Sequence, residues 1–162
     1  MKVKDVMMRT PASCRSDTNL GAAAEIMWNR DCGMLPILNP ENKVIGVVTD
    51  RDLCIALGTR NRLAGEIAVW DVASGKVFSC NPEEDIHAAL ATMAKSKVRR
   101  LPVINAAGKL EGILSMDDVV LHSESKVSGK TPGLSYDDVV DTLKKLYRPE
   151  LPEVARKKTA ST

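Results

Sequence analysis

Residues 5–55 and 71–121 carry one pattern twice, in register and without a gap. Pro36 and Pro102, Gly46 and Gly112, and Asp52 and Asp118 are each 66 positions apart. Of the 51 paired positions 13 are identical, including Asp5/Asp71, Cys14/Cys80, Met27/Met93 and Asn39/Asn105. A unit this long that occurs only twice is a duplicated half-domain, not one turn of a solenoid. Halves of this kind close on each other about a pseudo-twofold axis with equivalent clefts between them. Function therefore becomes a question about two related sites.

Each repeat reads in the same five-part order, β-α-β-β-α. A short extended piece (Ala12–Arg15; Val77–Asn81) precedes a helix opened by polar caps, Ser16-Asp17-Thr18 in one copy and Asn81-Pro82-Glu83 in the other. Apolar residues at Leu20, Ala23, Ala24 and Met27, and at Ile86, Ala89, Leu90 and Met93, fall on one helical face. Two short apolar runs follow, 35–38 then 44–49, and 101–104 then 110–115, joined by turn-rich loops at 39–43 and 105–109. A second helix begins after Thr49 and after Ser115, with Leu53, Ala56 and Leu57, or Val119, Val120 and Leu121, expected inside. These patterns predict an α+β fold of two repeats plus a C-terminal helix. The organisation is repeat 1 over 1–58, a linker over 59–70 with a helical turn in it, repeat 2 over 71–125, and 126–162 beyond. Gly129-Lys130-Thr131-Pro132-Gly133 reads as a linker. Residues 135–147 read as an amphipathic helix, with Ser135 and Asp138 as its capping box and Tyr136, Val139, Val140, Leu143, Leu146 and Tyr147 as its apolar stripe. Pro149 and Pro152 stop it, and the last ten residues are expected to be disordered.

At 162 residues, 44% hydrophobic but only 3% aromatic, the core must be built from aliphatic side chains and Met. A net charge of +2 gives no nucleic-acid signature, and the basic residues Arg156, Lys157 and Lys158 read as a solvated tail. Cys14, Cys32, Cys54 and Cys80 lack C-x-x-C spacing and a neighbouring histidine, so no zinc site is expected. Met1-Lys2-Val3-Lys4-Asp5 runs directly into the first repeat, unlike a signal peptide, and no run approaches the ~18 apolar residues of a membrane span. A reducing, cytoplasmic compartment is the expectation.

The tandem halves, the Leu-Pro-Ile/Val before an Asn, and the Gly-x-x-Thr/Ser-x-x-Asp at each third strand's end closely resemble a pair of cystathionine-β-synthase (CBS) domains over residues 3–123. The resemblance implies a stand-alone, non-catalytic regulatory module. It would bind an adenosine-containing ligand (AMP, ADP, ATP or a related adenosyl compound) between the repeats, form a homodimer through its second helices, and act on an unidentified regulated protein.

The candidate nucleotide motifs are Gly46–Asp52 and Gly112–Asp118. A strand that ends on a hydroxyl residue where a helix starts presents free N–H groups and a positive dipole end, which suit phosphate. Thr49 and Ser115 would add hydroxyl donors, and Asp52 and Asp118 would accept from ribose hydroxyls. The same Thr/Ser-x-x-Asp spacing is also an ordinary capping box that needs no ligand. By resemblance the base would lie against Ser13, Cys14, Pro36 and Ile37, and against Val77, Phe78, Ser79, Pro102 and Val103. Charge separates the halves: repeat 2 has Arg99-Arg100 where repeat 1 has Gly33-Met34, and repeat 1 has Arg51 where repeat 2 has Asp117. Arginine binds phosphate bidentately and aspartate repels it, so the two sites are expected to be occupied unequally. Two other readings stand beside this one. In the first, a redox- or metal-responsive protein brings Cys14 and Cys80, or Cys32 and Cys54, together. In the second, a structural partner protein has degenerate clefts and uses its C-terminal helix as the binding surface.

Overall fold

The computed structural model describes residues 1–125 and 133–148. Two three-stranded sheets carry the helices. The first half contributes β2 (Cys14–Arg15), α1 (Leu20–Asn29), β3 (Met34–Leu38), β4 (Val44–Thr49) and α2 (Asp50–Thr59). The second contributes α3 (Ile86–Ser96), β5 (Arg100–Ile104), β6 (Leu110–Ser115) and α4 (Met116–Leu121), with its first strand reduced to one bridge between Cys80 and Val103. The hairpin loops match across the repeat because the same atoms close them. The Asn39 side chain accepts from the Lys43 N–H, and Asn105 accepts from Ala107 and Lys109. Asn42 (φ 60°) and Gly108 (φ 79°) take the left-handed turn position.

The halves are joined by exchanged segments. A 3-10 turn at Val3–Asp5 and strand β1 (Met8–Arg9) precede the first half yet belong to the second, where Met8 pairs with Ile113 and Arg9 with Gly112. The equivalent turn at Val69–Asp71 and residue Ser74 precede the second half yet lie on the first, with Ser74 bridged to Val47. The hydrogen bonds obey the same symmetry. Val3 N–H donates to Glu84 O (2.9 Å) as Val69 N–H donates to Thr18 O (2.8 Å), and Ile86 N–H donates to Met1 O as Leu20 N–H donates to Ile67 O. The paired glycines have a cause in this crossing: a Cβ on Gly112 would lie 2.7 Å from Met8 O, and one on Gly46 would lie 3.2 Å from the Trp70 ring. Two aliphatic cores result. One contains Val3, Val6 and Met7 with the second half, and the other contains Ile67 and Val69 with the first. Residues 58–70 are thus more than a loop, since Ile67 and Val69 are wholly buried.

Several expectations are corrected. Helix α1 is capped by Asn19 and α3 by Asp85, one and two residues after the polar triplets. Those triplets form the preceding turns, where Thr18 Oγ1 accepts from Arg15 N–H and Asn81 Oδ1 from Glu83 N–H. Ala24 is exposed. In the second helices Leu53, Ala56 and Val119 are buried, but Leu57, Val120 and Leu121 are exposed, because the underlying sheet covers only one helix face. The C-terminal helix, α5 (Tyr136–Tyr147), carries the expected box: Ser135 N–H and Oγ both donate to Asp138 Oδ2. It docks against α3 on its own chain, adding Leu134, Val139 and Leu146 to the second core, while Tyr136, Val140 and Tyr147 stay exposed. Lys97 Nζ donates to the Lys145 and Arg148 carbonyls at its end. Residues 129–132 of the expected linker and the last ten residues lie outside the described residues. Among the described residues no helix is long and apolar enough to cross a membrane.

Candidate functional site

Strand β4 ends at Thr49 in an extended conformation (φ −118°, ψ 161°), and α2 starts at the next residue. Thr49 N–H and Oγ1 both donate to Asp52 Oδ2 (2.8 and 2.7 Å), and Asp52 N–H donates back to Thr49 Oγ1 (3.3 Å). Ser115 and Asp118 repeat this at 2.8, 2.5 and 3.2 Å. The capping box is therefore real at both motifs, and at Ser135 it also forms outside the repeats. Its geometry alone selects no ligand. It does leave Asp52 Oδ1 and Asp118 Oδ1 available, since every capping bond goes to Oδ2.

What distinguishes the first motif is what faces it. A cavity of about 360 Å³ opens between the halves, lined by Thr49, Arg51 and Asp52 from the first and by Lys76, Phe78, Arg99, Arg100 and Pro102 from the second. The sequence placed Arg51 in one repeat's site and Arg99-Arg100 in the other's; the fold puts all three in one cleft. Lys97 also lines it, so five basic side chains meet two carboxylates, Asp50 and Asp52. Among the described residues no ion pair or side-chain hydrogen bond occupies Arg51, Lys76, Arg99 or Arg100. Lys76 Nζ instead lies 4.9 Å from the centre of the Phe78 ring, the chain's one phenylalanine.

The base-contact candidates divide by exposure. Phe78 and Pro102 line the cleft. Cys14, Ile37 and Val103 are buried in the cores, and Pro36 is buried. Ser13 and Val77 are half-buried and Ser79 is exposed, none of them on the lining of this cleft. Lys76, Lys97 and Ser74 were missed. No local motif marks them, and the one available signal is the repeat register, which aligns Ser74 with the crossing residue Met8.

All four cysteines are thiols. Burial pushes Cys14 up to about 11 and Cys80 up to about 12, with the Glu84 charge adding to the second. Thiolate, the reactive form, is scarce at both near neutral pH. Among the described residues no group of three or more His, Cys, Asp or Glu side chains is placed to hold a metal ion.

The family model for the CBS domain matches residues 3–59 and again 69–125. The CBS domain-containing protein YhcV of Bacillus subtilis is 29% identical over 126 residues, 78% of this chain and 88% of that protein. An uncharacterized protein of Methanopyrus kandleri is 31% identical over 94 residues, 58% of this chain, and this match spans only 48% of that relative's length. Among solved structures, CBSX2 in complex with AMP is 26% identical with a TM-score of 0.65, over 74% of this chain and 93% of its own.

Proposed function

The chain belongs to the CBS domain family, and we propose that it is a regulatory module that binds an adenine nucleotide in the cleft beneath Thr49 and Asp52 and passes the ligand's state to a partner protein. The observation that carries this is the meeting, in one cleft, of a hydroxyl–carboxylate pair at a helix start, an aromatic wall and five basic side chains, of which Arg51, Arg99 and Arg100 form no ion pair among the described residues. Asp52 Oδ1 would take ribose hydroxyls, Phe78 and Pro102 would flank the base, and the arginines would hold phosphate. The AMP complex of CBSX2 supports the ligand class. Catalysis is not part of this reading. His87 lies between Asp85 (3.0 Å) and Asp138 (3.5 Å) at the α3–α5 junction, and His122 Nδ1 is 2.8 Å from the Asp118 carbonyl oxygen. The four thiols suit a reducing compartment, so we place the module in the cytoplasm.

Thermal shift tests the ligand. At a concentration near 100 Kd, a ligand that binds only the folded state adds about 2.7 kcal/mol, which raises the melting temperature by several degrees. AMP, ADP or ATP should produce that rise. If none of the three, nor adenosine, shifts the melt at millimolar concentration, the nucleotide reading falls.

We further propose a homodimer through the second helices, motivated by Ile55 and Leu57 on α2 and Val120 and Leu121 on α4, between 43% and 81% exposed. Light scattering at tens of micromolar should return twice the chain mass; a monomer mass would rule it out.

A further inference from the structure

The two pseudo-symmetric clefts differ at every basic position of the first. Each basic side chain lining the first has its repeat equivalent 66 positions away: Arg51 corresponds to Asp117, Lys76 to Thr10, Lys97 to Asp31, Arg99 to Gly33 and Arg100 to Met34. Five cations become two carboxylates and three uncharged residues. The register is conformational as well as sequential, because Lys97 and Asp31 both adopt left-handed backbone (φ 56° and 47°) and the Val47–Ser74 bridge mirrors the Met8–Ile113 pair. The aromatic wall is also lost, since Phe78 corresponds to Ala12. The Thr/Ser-x-x-Asp box and the Pro36/Pro102 pair are common to both.

We infer that the chain binds a single phosphorylated nucleotide, in the cleft of Thr49 and Asp52, and that the cleft of Ser115 and Asp118 accepts none. This rests on the nucleotide reading above and adds stoichiometry, place and ligand class to it. A phosphate gains charge-assisted bonds from Arg51, Lys76, Arg99 and Arg100, which line the cleft and form no ion pair among the described residues. At the second cleft the equivalent positions supply no cation, and a phosphate leaving water there would meet Asp31 and Asp117, beside which, among the described residues, Arg100 is the one basic side chain lining the same pocket. The first cleft should also prefer di- and triphosphates to AMP, because Lys76, Arg51, Arg99 and Arg100 exceed what one phosphate can engage. Lys76 is the residue that distinguishes this site most sharply, being supplied by the crossing segment and held beside Phe78.

Titration calorimetry of the full chain with ATP, AMP and adenosine tests it. The expected result is one ATP per chain. Affinity for ATP should fall about tenfold in Lys76→Ala and further in Lys76→Ala/Arg100→Ala, with a smaller change for adenosine and a stronger salt dependence in the wild type. Lys76 is exposed and Arg100 half-buried, so an unchanged melting temperature serves to confirm that both variants fold. Two ATP bound per chain, or an ATP affinity unmoved in the folded double variant, overturns the inference and leaves the nucleotide reading intact. Absence of binding by all three ligands overturns that reading, and this inference with it.

Discussion

Residues 1–66 expressed alone are expected to show no cooperative melt and to aggregate or stay unfolded. The fragment contains β2, α1, β3, β4 and α2, which by pattern is a whole repeat, but it is not a whole core. Ile67 and Val69, both fully buried against that half, lie just past its end. Val3, Val6 and Met7 lose the second half, in which they are buried. Burying an aliphatic side chain contributes about 1.5–3 kcal/mol, so five such residues account for about 7–15 kcal/mol. A small domain's entire stability is of that size, about 5–15 kcal/mol. The exchanged hydrogen bonds are also lost, leaving Leu20 N–H without Ile67 O at the start of α1. Circular dichroism during heating checks this. A cooperative transition from a monomeric 1–66 fragment would show that the exchange is ornamental, and the two-core account would have to be abandoned.

That same exchange explains what the sequence could and could not show. The helices were readable because their apolar spacing is local: Ile86, Ala89, Leu90 and Met93 are all buried where the stripe predicts. Hairpin loops were readable because Asn39 and Asn105 close them with their own side chains. The crossing segments are only two or three residues long and carry no period, so nothing local says that Met8 pairs with Ile113 and not with its own half. The cleft's composition followed the crossing into obscurity. Lys76 reaches the first motif only because residues 74–78 pass over to it, and without that knowledge Arg51 and Arg99-Arg100 are assigned to different sites. Surface exposure was misjudged for a related reason. Leu57 and Leu121 satisfy a helical pattern, but whether a face is covered depends on what packs there, and both side chains stay exposed in the single chain.

Asp52→Asn should lower nucleotide affinity by roughly 10- to 150-fold, the equivalent of about 1.5–3 kcal/mol for a carboxylate accepting hydrogen bonds from ligand hydroxyls. The substitution also touches the cap, since Asp52 Oδ2 accepts from Thr49 N–H and Oγ1. An asparagine oxygen can still accept both bonds, so the fold should lose only the favourable charge at the start of α2, about 0.3–1 kcal/mol. The two effects can be separated because the chain supplies a second cap of the same kind, which differs in one further contact, His87 Nε2 at 3.5 Å from Asp138. Asp138 makes the same three bonds with Ser135 at the start of α5, outside the repeats and away from the cleft. Asp138→Asn should therefore lower the melting temperature at least as much, since it also weakens the contact with His87, while leaving AMP and ATP affinity unmoved. Calorimetric titration of both variants beside the wild type, with melting curves on the same samples, is decisive. If Asp52→Asn and Asp138→Asn each lose a little stability and neither loses affinity, Asp52 is a helix cap and nothing more, and the ribose must be held elsewhere. A large loss confined to Asp52→Asn would mean that the Oδ1 atom left over by the cap is the one the ligand uses.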